Sequence, residues 1–189
     1  MNRALFLDRD GVLDALVFRK GEWGAPLEPA QVEILSGVRE ALDDAAKQGW
    51  MMFVISNQPD AAKGFTTMAA LQSVHEELLR QLEGAPITEF FYCFHRAEDR
   101  CECRKPSPFL VFEAARKYDV DLMRSWFVGD VDTDIEAGRR AGCRTALIEY
   151  PHSISRRGAQ KADWVGRDLG HFVQSLADQQ LAHAAEAKD

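Results

Sequence analysis

The chain has 189 residues, 46% of them hydrophobic and 28% charged, which is ordinary globular usage and excludes disorder, collagen and coiled coil for its bulk. One domain of this size buries roughly 70% of its unfolded surface and needs no disulfide scaffold. The 30 acids against 23 Lys+Arg give a net charge of −7, a poor balance for nucleic acid or an anionic membrane. An anionic ligand would have to find its positive charge locally.

Taken in chain order, Ala4-Leu5-Phe6-Leu7 reads as a short buried strand. Val38, Ala41, Leu42, Ala45 and Ala46 have the spacing of an amphipathic helix, with Ser36 as N-cap and Gly49 as stop. Trp50 to Ile55 is a continuous apolar run, expected of a second buried strand. Leu71, Val74, Leu78 and Leu82 mark a second helix, and Phe90 to Phe94 a third strand. Ser107-Pro108 opens the next helix, Ser as N-cap and Pro at the first helical position. Trp126 to Gly129 is a fourth strand, followed by a helix through Ile135 and Ala141 that stops at Gly142. Thr145 to Ile148 is a fifth strand, Trp164-Val165 a short sixth, and a helix from Asp168 closes a domain expected to span 1–178. Residues 179–189 read as a frayed tail. Strand and helix alternate, so the expected fold class is α/β, a Rossmann-like parallel sheet with helices on both faces. Ligands in such sheets bind beyond the carboxyl ends of the strands.

The chemically loaded residues fall there. Asp8-Arg9-Asp10-Gly11 follows the first strand, Ser56-Asn57-Gln58 ends the second, and Gly129 to Asp134 ends the fourth. Arg104-Lys105-Pro106 stands just before a helix start. Asp8, Asp10 and Asp130 would form an oxygen-rich pocket suited to Mg²⁺, a hard cation. Ser56 and Lys105 can grip a phosphate, by hydroxyl and by point charge. An aspartate can serve as nucleophile, passing through an aspartyl-phosphate that water hydrolyses. Alone, the Asp-x-Asp pair would read equally well as a solvated turn.

A second constellation is Cys93-Phe94-His95, five residues, then Cys101-Glu102-Cys103. Three thiolates and an imidazole suit tetrahedral Zn²⁺. A reducing cytoplasm is the default expectation, and there clustered cysteines more often bind metal than form disulfides. No leader-like segment and no apolar stretch of 18 residues is evident. Cys143 reads as a small buried hydrophobe, His75, His152 and His171 as surface or helix-face residues, and Arg156-Arg157 as a basic pair too small to bind nucleic acid.

The four motifs together resemble the haloacid-dehalogenase (HAD) superfamily of phosphatases over about residues 3 to 178. That resemblance implies Asp8 as nucleophile and Asp10 as general acid/base. It implies Mg²⁺ held by the Asp8 side chain, the Asp10 backbone carbonyl and Asp130. Ser56, Asn57 and Lys105 would bind the phosphoryl group, with Asp134 orienting Lys105 or a metal-bound water. The acid two residues after the nucleophile argues for phosphoryl chemistry over dehalogenation, which has no proton to deliver there. The Cys3His pattern running into Arg104-Lys105-Pro106 is similar to the zinc loop (93–103) of the capless subclass IIIA. That subgroup holds D-glycero-D-manno-heptose-1,7-bisphosphate 7-phosphatases and the phosphatase domain of histidinol-phosphatases. Its zinc would be structural, and Arg104 would touch the substrate. The implied partner is a small phosphorylated metabolite, a heptose bisphosphate first and histidinol phosphate or another sugar phosphate as alternatives, handled by a monomer. A non-catalytic zinc-binding interaction module is the competing reading, opposed by the intact Asp8, Asp10, Lys105 and Asp130.

Too few residues separate Gly11 from the first helix, or Asn57 from the third strand, for a large cap domain. Leu13 to Pro29, rich in Gly and Pro, reads as a loop able to lie over the pocket. Asp14, Pro59-Asp60 and Lys63 depart from the subgroup's usual Asn, Ser-Gly and Arg, which weakens any single named substrate.

Overall fold

The computed structural model describes residues 1–158 and 160–186, with side chains described to residue 182. Six parallel strands form one sheet: β1 (Ala4–Leu7), β4 (Met51–Asn57), β5 (Glu89–Cys93), β6 (Trp126–Gly129), β7 (Arg144–Ile148) and β8 (Trp164–Gly166). Their order is β5-β4-β1-β6-β7-β8. The chain builds outward from β1 to one edge, then returns to the other side of β1 with β6. That reversal opens a crevice at the carboxyl ends of β1 and β6, where such folds bind ligands.

Alternation along the strands sorts two cores. Leu5, Leu7, Met52, Val54 and Val128 face α1 (Val38–Lys47), α2 (Met68–Leu82) and α5 (Leu169–Glu186). Ala4, Phe6, Phe53, Ile55 and Phe127 face α3 (Phe109–Tyr118) and α4 (Asp132–Ala141). Both faces are covered, so the central strands carry apolar side chains on both sides. Phe6 stacks between Phe53 and Phe127, with ring centroids 5.6 and 6.5 Å away.

Three local expectations are corrected. Ser36 does not cap α1: Gly37, at φ +78°, holds the cap position without a side-chain hydrogen bond. At α3 the cap position falls one residue later than expected, on Pro108, while the Ser107 hydroxyl accepts from the Phe109 amide at 3.3 Å. The expected tail is helical through Glu186, because α5 continues over residues rich in Ala, Gln and Leu, good helix formers. Residues 187–189 of that tail lie outside those described.

Between Gly11 and α1 the insertion amounts to a small antiparallel hairpin, β2 (Val17–Arg19) and β3 (Glu22–Gly24). Among the described residues there is no large cap domain. Trp23 of this hairpin lies parallel to His152, with ring centroids 3.6 Å apart. His152 belongs to a 3₁₀ segment, Pro151–Arg156, so hairpin and segment clasp each other beside the crevice. His152, expected as a surface or helix-face residue, is half-buried there, with the stack on Trp23 as an addition the sequence did not show.

Candidate active site

A cavity of about 450 Å³ opens at the crevice, and Asp8, Asp10, Ser56, Arg104, Lys105 and Asp134 all line it. Four sequence motifs, from residues 8 to 134, meet in one place because each ends or follows a neighbouring strand.

Lys105 is the centre of the charge arrangement. Its ammonium lies 2.7 Å from Asp8 Oδ1 and 2.8 Å from Asp134 Oδ1, and donates to the Ile55 carbonyl at 2.8 Å. Burial alone would lower its pKa, but Asp134 and Asp8 more than offset that, so the ammonium stays protonated. Burial pushes the Asp8 carboxyl up, opposed chiefly by Lys105. Asn57, expected as a phosphate contact, lines the cavity and also holds the Lys105 backbone. Its amide oxygen accepts from the Lys105 N–H at 3.0 Å and its amide nitrogen donates to the Lys105 carbonyl at 3.2 Å. Both ends of Asn57 are engaged in fixing the lysine backbone.

Asp130 is 1% exposed, and its carboxylate oxygens meet no hydrogen bond in good geometry among the described residues. Burial, then Asp134 and Asp8, push it up to about 8. Its nearest ion-pair partner, Arg156, is 3.9 Å away. One carboxylate oxygen each from Asp8, Asp130 and Asp134 lies within 4.8 Å of the others. A buried set of hard oxygens in which Asp130 is underpaired fits a divalent cation such as Mg²⁺. Gly11 permits this packing: at φ +90°, a Cβ there would stand 2.2 Å from Asp130 Oδ2. Asp134, from the first turn of α4, turns back so that Oδ2 accepts from the amides of Asp130 and Val131 at 3.2 and 3.3 Å. Arg157, read only as a basic residue, donates through Nε to the Asp130 carbonyl at 3.0 Å and through Nη2 to Ser153 at 3.0 Å.

The second cluster sits at the end of β5. Cys93, Cys101 and Cys103 have Sγ atoms 3.2–3.6 Å apart, and His95 Nδ1 lies 3.7 and 3.3 Å from Cys93 and Cys103. None of the three thiols is in a disulfide. A tetrahedron with 2.3 Å Zn–S bonds has edges of about 3.8 Å, so four donors at these separations suit one ion. Arg104 Nη1 donates to the His95 carbonyl at 3.1 Å, joining this loop to the cavity wall.

Sequence reasoning missed what lies behind Asp10. Arg9, Gln58 and Asp14 are all buried, and each touches or neighbours that carboxylate. A charged residue between two site aspartates was the available signal: on an extended segment its side chain must point the other way, into the protein.

The fold, the switch-point crevice and the carboxylate–lysine cluster define a HAD-like hydrolase. A HAD-hydrolase-like family model matches residues 102–172. The D-glycero-β-D-manno-heptose-1,7-bisphosphate 7-phosphatase of Pseudomonas aeruginosa is 35% identical over 166 residues, 84% of this chain and 88% of that protein. The protein of the same name from Bordetella bronchiseptica is 31% identical over 183 residues, 92% of this chain and 97% of its own. A crystal structure of the B. bronchiseptica D,D-heptose 1,7-bisphosphate phosphatase, complexed with magnesium and phosphate, superposes with a TM-score of 0.82 over 95% of this chain and 99% of that one, at 28% identity. The chain belongs to the HAD-like hydrolases, as a phosphatase related to these heptose-bisphosphate enzymes over most of its length. Among the described residues no helix is long and apolar enough to cross a membrane.

Proposed function

We propose that the protein removes the 7-phosphate from a D-glycero-D-manno-heptose 1,7-bisphosphate through an aspartyl-phosphate on Asp8. One observation carries the phosphoryl chemistry: a buried lysine paired at once with the candidate nucleophile and with Asp134 on the wall of the cavity. The heptose assignment rests on the relatives, whose names carry that substrate over most of their lengths.

Asp8 attacks phosphorus, and the bond to the sugar oxygen breaks. Asp10 gives that oxygen its proton. Water then attacks the aspartyl-phosphate, Asp10 takes the water's proton, and the bond between phosphorus and Asp8 breaks to release phosphate. Lys105 and the Ser56 hydroxyl bind the phosphoryl oxygens, and Asn57 and Asp134 keep Lys105 in place. Mg²⁺ held by Asp8, Asp130 and the Asp10 carbonyl would supply further positive charge for those oxygens. Zn²⁺ held by Cys93, His95, Cys101 and Cys103 would brace the loop that aims Arg104 at the rest of the substrate.

The test is phosphate release, with Mg²⁺, across heptose bisphosphates, histidinol phosphate and common sugar phosphates. The heptose bisphosphate should give the highest kcat/KM. A better rate on histidinol phosphate or a simple sugar phosphate would move the substrate. Release from none of them would overturn the catalytic reading and favour a binding role for the zinc loop.

A further inference from the structure

The geometry points to Arg9 and Gln58 as positioning residues that hold the Asp10 carboxylate in line for proton transfer, an inference that rests on the phosphatase reading above. Asp10 Oδ1 accepts from Arg9 Nε at 3.1 Å and from Arg9 Nη2 at 2.7 Å. Asp10 Oδ2 accepts from Gln58 Nε2 at 2.6 Å, with Ser56 Oγ 3.5 Å away. Arg9 Nη2 also donates to Gln58 Oε1 at 3.0 Å. That third contact fixes which way the Gln58 amide faces, so its NH₂ is turned to Asp10. Each carboxylate oxygen is therefore held from behind, and the two holders are tied to each other.

The holders are themselves buried and partnered. Arg9 is 2% exposed and Gln58 1%. The guanidinium lies 5.9 Å from the Tyr92 ring, and the Tyr92 hydroxyl is 2.9 Å from Nδ1 of His75, which sits on a face of α2 as expected. Arg9 Nε is 3.8 Å from Asp14, which is fully buried. Arg9 thus lies between the Asp10 and Asp14 carboxyls inside the protein.

A buried ion pair is an inefficient source of stability, because desolvation consumes most of the attraction. What a guanidinium fork does supply is direction: it fixes the plane of the carboxylate it meets. Asp10 needs that direction twice, to protonate the leaving oxygen and to deprotonate the water. Displacement of a reacting group by about 1 Å can cost on the order of 10²-fold in rate.

Leaving-group dependence tests this. Gln58→Met keeps charge and bulk and removes one holder, while Arg9→Lys keeps charge and removes the fork. With the best sugar phosphate, each variant should lose about 10²-fold in kcat with KM little changed. With 4-nitrophenyl phosphate, whose leaving group departs without a proton, each should release a burst of about one nitrophenolate per chain and then turn over slowly, because hydrolysis of the aspartyl-phosphate still needs Asp10. Unchanged kcat on both substrates would overturn the proposal. So would nitrophenolate and phosphate release slowed together without a burst, the signature of a merely structural role. If the wild-type protein releases phosphate from no monoester, the underlying reading falls, and the proposal with it.

Discussion

Two clusters of side chains that could each hold a metal ion stand at the carboxyl ends of the strands, and they are built in opposite ways. The carboxylates of Asp8 and Asp134 already share a cation from the protein itself, the Lys105 ammonium. The thiols of Cys93, Cys101 and Cys103 contact each other and His95. Burial first, then the neighbouring thiols, push Cys93 up to about 12, so without an ion it stays a neutral thiol. On the proposed function, the difference separates a site for turnover from one that braces the fold. The first can exist with its metal absent; the second has no electrostatic reason to close without one.

Asp8→Asn is the strongest way to break this comparison. Phosphate release should fall by on the order of 10⁴-fold or more, since the reaction loses its nucleophile. The fold should survive, because Lys105 keeps Asp134 and the Ile55 carbonyl as partners. Circular dichroism and a thermal melt would check this. A variant that unfolds would show that the carboxylate cluster is structural too.

The opposite pattern is expected at the thiols. Cys101→Ser should lose the bound metal and lower Tm sharply, because zinc binding and folding of such a loop are one equilibrium. Metal content per chain, and alkylation of Cys93 before and after metal removal, would measure it. Wild-type protein without zinc, or an unchanged melt in Cys101→Ser, would cancel the distinction between the two clusters.

A subtler difference is pH dependence. Asp130, with a folded pKa of about 8 against an ordinary carboxyl, keeps a proton in the folded state that the unfolded chain has already released. Asp8 and Asp14 are shifted in the same direction, chiefly by burial. A raised carboxyl pKa means that stability falls as pH rises through the window from about 4 to 8, by up to about 1.4 kcal/mol per unit for one such proton. Mg²⁺ should relieve that penalty, so added magnesium should raise Tm more at pH 8 than at pH 5. Equal shifts at both pH values would argue that Asp130 does not meet the ion.

How far these features could be read in advance followed their range along the chain. The alternation of strands and helices, and the motifs at strand ends, are local patterns, so the sheet and the meeting of Asp8, Ser56, Lys105 and Asp130 were legible. The thiol cluster was legible because its ligands lie within eleven residues. The uses of Asn57, Arg9 and Gln58 were not, since they depend on contacts up to 49 residues apart that no spacing encodes. Trp23 and His152 were missed for the same reason: an aromatic in a Gly-rich segment and a lone histidine meet only when the hairpin folds over the crevice.

That clasp supplies the smallest predicted effect. Trp23 lines the cavity alongside Lys63, Arg104 and Arg156. If the hairpin is a wall for the leaving group, Trp23→Ala should raise KM for a sugar phosphate a few-fold to about tenfold, since an aromatic contact is worth about 0.5–1.5 kcal/mol beyond its area. kcat should hardly change, because Asp8, Asp10 and Lys105 stay where they are. With inorganic phosphate as a product inhibitor the affinity should hardly change, since the proposed phosphate contacts are Ser56 and Lys105 and not Trp23. A loss confined to kcat, or a parallel loss of phosphate affinity, would place Trp23 with the reacting groups rather than with the leaving group.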